Sequence, residues 1–151
     1  MEFSIRRADA LDVEAIYSIL SEVADQVPVA LNTRERVEQI KMQIKDSCLE
    51  GFSYVGVDEN GLVVGFQLAR RKRWFEDWYI HLTYAGVTAA AQGKGIFKRL
   101  IEVEKRLDLL LVAVVKPGNK SDMVARLERY NFRPYPDGPL KNAYRWKPER
   151  C

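Results

Sequence analysis

The apolar positions along this chain change period several times. Phe3–Arg7 alternates apolar and polar residues and predicts a short strand. From Val13 the spacing becomes helical, with Val13, Ile16, Tyr17, Leu20 and Val23 or Ala24 on one face and Asp9 able to cap. Pro28 cannot continue that helix. Asn32 with Glu35 three residues on has capping-box spacing and opens a second helix, buried along Val37, Ile40, Ile44 and Cys48. On that line Cys48 reads as core rather than nucleophile, because a free thiol behaves as a small apolar group. Phe52–Val57 and Leu62–Arg71 are β-rich, and the Asn60-Gly61 pair between them signals a hairpin.

Trp78–Val87 is the next strand. Simple alternation puts Tyr79, His81 and Thr83 on one face and Ile80, Leu82 and Tyr84 on the other. Ala85-Gly86 interrupts it, which suggests a bulge or a close approach by a ligand. The turn Gln92–Phe97 follows and opens a helix. Ile96, Phe97, Leu100, Ile101, Val103 and Leu107 form its apolar side, with Lys98, Arg99, Glu102, Lys105 and Arg106 mostly outside. Leu109–Val115 is an unbroken apolar run, the mark of a strand covered on both faces. Strand, glycine turn, helix and buried strand make a βαβ unit with parallel strands and a right-handed crossover.

After Lys116-Pro117-Gly118, Asn119–Asn131 predicts another helix, with Met123, Leu127 and Tyr130 as its buried line. A turn at Pro134–Pro139 and a strand at Ala143–Trp146 close the chain with a short hairpin. No linker, repeat or low-complexity segment interrupts it. The expectation is one mixed α/β (α+β) domain over residues 1–151.

Composition narrows the classes. At 151 residues and 47% hydrophobic the chain can build a real core. A net charge of +3 is too balanced to imply nucleic acid by itself. No run of about 18 apolar residues is present, so no membrane span is expected. The first residues lack the apolar block of a signal peptide. Cys48, Cys151 and the lone histidine form neither a disulfide framework nor a metal cluster. A reduced, cytoplasmic protein without a metal is the expectation; nothing in the sequence sets an oligomeric state.

Two stretches carry candidate chemistry. Gln92-Gly93-Lys94-Gly95 strips side chains from a turn at a helix start, where unpaired N–H groups and the helix dipole favour phosphate. The same tetrapeptide is also an ordinary surface turn, but it follows a strand at the sheet end where open α/β sheets bind ligands. A Walker loop and a dinucleotide fingerprint both fail on glycine spacing. The second stretch is Arg70-Arg71-Lys72-Arg73 beside Trp74, Phe75 and Trp78. It could serve a nucleic acid or an anionic substrate, or be a solvated hairpin end with its aromatics folded back.

Over nearly its full length the chain resembles the GNAT superfamily of N-acetyltransferases. The family's phosphate motif is Arg or Gln, two residues, Gly, one residue, Gly or Ala; here it reads Gln92-Gly93-Lys94-Gly95-Ile96-Phe97, after a strand ending Gly86-Val87-Thr88. Asn119, the helix after it and Asn131-Phe132 also fit. Two positions depart: Phe97 stands where Gly or Ala is usual, and Leu127 where a tyrosine often protonates the departing thiolate. Tyr130, one turn further on, is the candidate replacement.

The resemblance implies a mixed central sheet with flanking helices, and direct transfer of acetyl from acetyl-CoA to an amine of a small molecule or protein. Coenzyme A would lie between the strands ending at Val87 and Val115, splayed with the help of a bulge at Ala85-Gly86. Val87 and Thr88 would pair with its pantetheine arm, the amides of Gly93 to Ile96 would hold its phosphates, and Gln92, Lys94, Phe97 and Asn119 would border it. His81 stands about where many members carry a catalytic glutamate and is the expected general base, with Tyr79 and Thr83 beside the acceptor. Two other readings stay open: an acetyl-CoA-binding module without turnover, and a GNAT-like protein bound to nucleic acid through Arg70, Arg71, Lys72 and Arg73.

Overall fold

The computed structural model describes residues 2–26, 29–117, 119 and 122–149. One seven-stranded sheet, in the order β1-β2-β3-β4-β5-β7-β6, runs through them. Its strands are β1 (Phe3–Arg7), β2 (Tyr54–Asp58), β3 (Val63–Trp74), β4 (Asp77–Val87), β5 (Leu110–Val114), β6 (Arg133–Pro134) and β7 (Ala143–Trp146). Neighbours are antiparallel except β4 and β5, which are parallel. The helices are α1 (Val13–Glu22), α2 (Arg34–Glu50), α3 (Ile96–Lys105) and α4 (Met123–Arg129). None is long and apolar enough to cross a membrane.

The two faces of the sheet have separate cores. Ile16, Ile19 and Leu20 of α1 and Ile40, Ile44 and Cys48 of α2 pack with Val55, Phe66 and Leu68. On the other face Ile101 and Leu127 pack with Ala69, Ile80, Leu82, Leu111 and Ala113. Ile96 and Leu100 extend that side toward β1 and β2. The line read along α2 is therefore the buried one, and burial pushes the Cys48 thiol up to about 11. That places it in the core, unreactive.

Gly56 and Gly65 set the seat of α3. A Cβ at either would stand 2.9 or 2.8 Å from the γ2 methyl of Ile96. Their missing side chains let the first turn of the helix lie close on the sheet, which fixes where the Gln92–Phe97 turn sits.

Three local expectations are corrected. The cap of α2 is Thr33, whose hydroxyl accepts from the Arg36 N–H, and not Asn32. In the β2–β3 turn only Gly61 takes positive φ, while the Asp58 carboxylate accepts from the Asn60 and Leu62 N–H groups. The third concerns β4. Leu68 and Ala69 are consecutive on β3, yet they face Tyr84 and Leu82, so Thr83 is the extra residue of a bulge. The irregularity thus falls at Thr83, not at Ala85-Gly86. It also reverses the alternation: Leu82 packs on the α3 side, whereas Tyr84 packs with the α1–α2 core. Gly86 answers to a close approach instead, since a Cβ there would meet Phe66, Val23 and Ile19 within 3.3 Å.

Candidate active site

β4 and β5 pair from Tyr79–Leu110 only as far as Leu82–Ala113. Beyond that β4 continues to Val87 paired with β3 alone, and β4 and β5 part at the bulge. The Thr88 N–H donates to the Val64 carbonyl at 2.9 Å, so it points back into the sheet. Antiparallel alternation then turns the peptide groups of Ala85 and Val87 toward the open edge. Thr88 is placed to shape the turn rather than to offer its N–H, and the Val87 carbonyl accepts from the Gln92 side chain at 3.2 Å.

Beside a small one of about 40 Å³ against Ala85, Gly86 and Val87, three cavities meet around this fork. One of about 60 Å³ lies in it, walled by Leu82, Thr83, Ala85, Phe97, Asn119 and Leu127 among others. A second, of about 200 Å³, lies at the glycine turn between Val87, Gln92, Gly93 and Gly95 on one wall and Arg126 and Arg129 of α4 on the other. The third, of about 490 Å³, opens on the α2 side beneath His81, Arg70 and Lys72. Thr83, Tyr84, Val114 and Lys116 line both the fork cavity and this third one. The fork therefore connects the two faces of the sheet.

The turn itself places two glycines at the start of α3. Gly93 and Gly95 take φ of 78° and 85°, and Gly95 is the N-cap of α3. A Cβ built at either meets nothing within 4 Å, so both glycines border open space. Ile96 is buried and offers only its backbone. Lys94 is exposed. Phe97 borders the fork and the turn cavities alike, with the Tyr130 ring 5.9 Å away and the Arg126 guanidinium 6.0 Å over its face. It takes the place of a small residue and closes a stack of its own. Arg126 and Arg129 escaped the sequence reading; their three-residue spacing on a helix following the buried strand was the available signal.

Leu127, where the resemblance places a tyrosine, lines the fork cavity and is 1% exposed. Leucine offers that cavity no ionisable proton. Tyr130 lines the turn cavity instead, and its backbone carbonyl accepts from Lys105 Nζ at 2.6 Å. Thr83 and Tyr84 line both the fork cavity and the third one, and Lys116 Nζ lies 5.6 Å from the Tyr84 ring centroid. Tyr84 was hidden from sequence by the bulge.

His81 is in the wall of the third cavity. Burial, helped by the charge of Lys72, pulls its pKa down to about 4, so the imidazole is neutral near pH 7. Its Nδ1 is buried without a hydrogen-bond partner. Tyr79 shares the face, but it is 4% exposed and packs with Val112 and Ala143 deeper in the sheet. The basic run is divided by strand alternation. Arg70 and Lys72 reach the third cavity, with Arg70 held by Glu50 at 2.9 Å. The guanidinium carbons of Arg71 and Arg73 lie over Trp78, at 4.4 and 5.5 Å from its ring centroid. The four cations thus do not form one nucleic-acid stripe.

No protein-family model and no curated protein sequence matches this chain. Solved structures do. PaiA N-acetyltransferase from Thermoplasma acidophilum, in complex with coenzyme A, aligns with a TM-score of 0.71 at 14% identity, over 96% of this chain and 97% of that one. A GNAT-family acetyltransferase from Listeria monocytogenes gives 0.69 at 17% identity over 96% and 93%. Diaminobutyrate acetyltransferase EctA from Paenibacillus lautus, with 2,4-diaminobutyric acid and coenzyme A, gives 0.65 at 16% over 97% and 95%. The fold is that of the GNAT acetyltransferases. The resemblance read from Gln92–Phe97 and the order of elements is borne out at that level.

Proposed function

We propose that this chain, acting as one unit over residues 1–151, transfers an acetyl group from acetyl-CoA to an amine. The observation that carries the reading is the parting of β4 and β5 beside an open glycine turn, with a cavity on each face of the sheet. Neighbours of the same fold that hold coenzyme A support it. The residues fit that molecule: amides from Gly93 to Ile96 with Arg126 and Arg129 suit its phosphates. The free edge at Ala85 and Val87 suits an amide-bearing arm added like a strand. Asn119 borders the fork where that arm would end.

Bound acetyl-CoA would supply the thioester. A bond forms between the amine nitrogen and the acetyl carbon as the C–S bond breaks; the nitrogen loses a proton and the sulfur gains one. An N–H on the open edge of β4 polarises the carbonyl. The acceptor enters by the cavity beneath His81, with Thr83 at the passage and Tyr79 behind it. Neutral His81 takes the proton from the nitrogen as it attacks, and Tyr84, beside Lys116, returns one to the sulfur. Leu127 favours a second reading, an acetyl-CoA-binding protein without turnover, because it leaves the fork apolar where a hydroxyl is expected.

Thermal unfolding with and without acetyl-CoA tests the coenzyme site, since a ligand of the folded state raises Tm. Gly93→Asn tolerates positive φ yet fills the cradle, and Arg126→Gln/Arg129→Gln removes its far wall. Both should abolish the shift. A shift unchanged in both variants overturns the site. Product formed from an amine panel decides between enzyme and binder.

A further inference from the structure

We propose that the cavity beneath His81 selects an acceptor that carries, besides its amine, an anionic group: a carboxylate or a phosphate. This rests on the placement of the acceptor there under the proposed function. Four cations from three segments converge on one concavity, Arg70 and Lys72 from β3, Lys116 after β5 and Lys141 from the loop before β7. No carboxylate among the described residues lines it. Glu50 balances Arg70 from outside, but Lys72, Lys116 and Lys141 enter none of the ion pairs among the described residues. Lysines on a convex surface disperse their field into water, whereas a cleft with low-dielectric walls concentrates it.

Such a lining repels an ammonium ion. A polyamine or a lysine in a basic peptide would enter against that field and find no carboxylate to hold it. A molecule with its own anion would be drawn in and anchored by the lysines. The same cations favour the free amine over the ammonium, and the free amine is the form that attacks. The rest of the polar lining, Gln43, Ser47 and His81, brings no negative charge that would hold an ammonium instead. At about 490 Å³ the cavity has the size of a small-molecule site. The division of Arg70–Arg73 fits this use, because strand alternation sends only Arg70 and Lys72 inward and leaves the other two on Trp78.

The test compares matched amines: an amino acid with its amide, and phosphoethanolamine with ethanolamine, with spermidine as the cationic control. Binding is read by thermal shift and turnover by acetyl-CoA consumption, in wild type and in Lys72→Gln/Lys141→Gln. These two lysines are exposed and do not line the fork cavity, so the variant should fold and keep its acetyl-CoA shift. The anionic members should bind at least about tenfold tighter than their uncharged partners, with the gap closing in the variant. The two arms tell carboxylate from phosphate. Equal affinity within pairs, preference for spermidine, a gap that survives in the variant, or no shift by any anionic member at millimolar concentration would each overturn the proposal. Loss of the acetyl-CoA shift alone, with the anion gap intact, would overturn the coenzyme reading and leave the anion selectivity standing.

Discussion

The γ2 methyl of Ile96 occupies the space that a side chain on Gly65 would need, 2.8 Å from where its Cβ would stand. Because Ile96 is the first residue of α3, this contact fixes the height of the glycine turn above the sheet. Gly65→Ala should destabilise the fold by about 1–3 kcal/mol through overpacking. Ile96→Leu, which moves the branch outward, should recover part of that loss. Urea denaturation of the two single variants and the double variant measures the coupling; strictly additive effects would show that the contact is not shared.

A second prediction concerns a group that periodicity did not single out. Glu104 is fully buried on α3, neither carboxylate oxygen has a hydrogen-bond partner, and burial raises its pKa from 4.5 to about 9. The folded state therefore keeps a proton that the unfolded state releases near pH 4.5. Stability from this group is highest below that pH and falls as pH climbs toward about 9. Glu104→Gln should flatten that slope. Glu104→Met should raise stability at pH 8 by an amount on the order of a few kcal/mol. A slope unchanged by Glu104→Gln in denaturation at pH 5 and pH 8 would contradict the assignment.

The histidine slopes the other way. An unperturbed value of about 6.5 would put an acidic limb in the working range. Burial moves the folded value to about 4, so between those two values the unfolded state binds the proton and the folded state does not. Stability should rise with pH through that window, and the acidic limb of turnover should lie near 4. His81→Gln should remove the limb and lower turnover by roughly a hundredfold if His81 takes the proton. A limb near 6.5 in the wild type would show that the imidazole is more open to water than its place in the wall implies.

What the sequence disclosed, and what it concealed, follows from the range of the forces involved. Periodicity found the elements, since burying Ile40, Ile44 and Cys48 or Ile96, Leu100 and Ile101 depends on spacing alone. The glycine turn was legible because positive φ at Gly93 and Gly95 is a demand on residue type. The fork was legible only in outline. A bulge at Thr83 is a property of two paired strands, and the glycine signal at Ala85-Gly86 begins two residues too late. Everything after the bulge then changed face, so Tyr84 was assigned to the wrong side. Lys116 and Lys141 reach the third cavity by tertiary approach of loops, which no local pattern announces, whereas Arg126 and Arg129 share a helix face by spacing and only their approach to the glycine turn is tertiary.

The last prediction separates two phenols. Tyr130 carries its ring against Phe97 in the turn cavity, and its backbone, rather than its hydroxyl, holds Lys105. Phenylalanine keeps that ring, so Tyr130→Phe should leave turnover within about twofold of wild type. Tyr84 stands at the passage between the fork and the cavity beneath His81, with a lysine over its ring to favour negative charge nearby. Tyr84→Phe should cost roughly tenfold to a hundredfold in kcat, the scale of a lost proton donor, while the KM for acetyl-CoA stays nearly constant. Loss of the coenzyme shift in Tyr84→Phe would instead mark the residue as packing. If Tyr130→Phe is the variant that loses turnover, the proton reaches the sulfur from the side of the glycine turn, and Tyr84 has no part in the transfer.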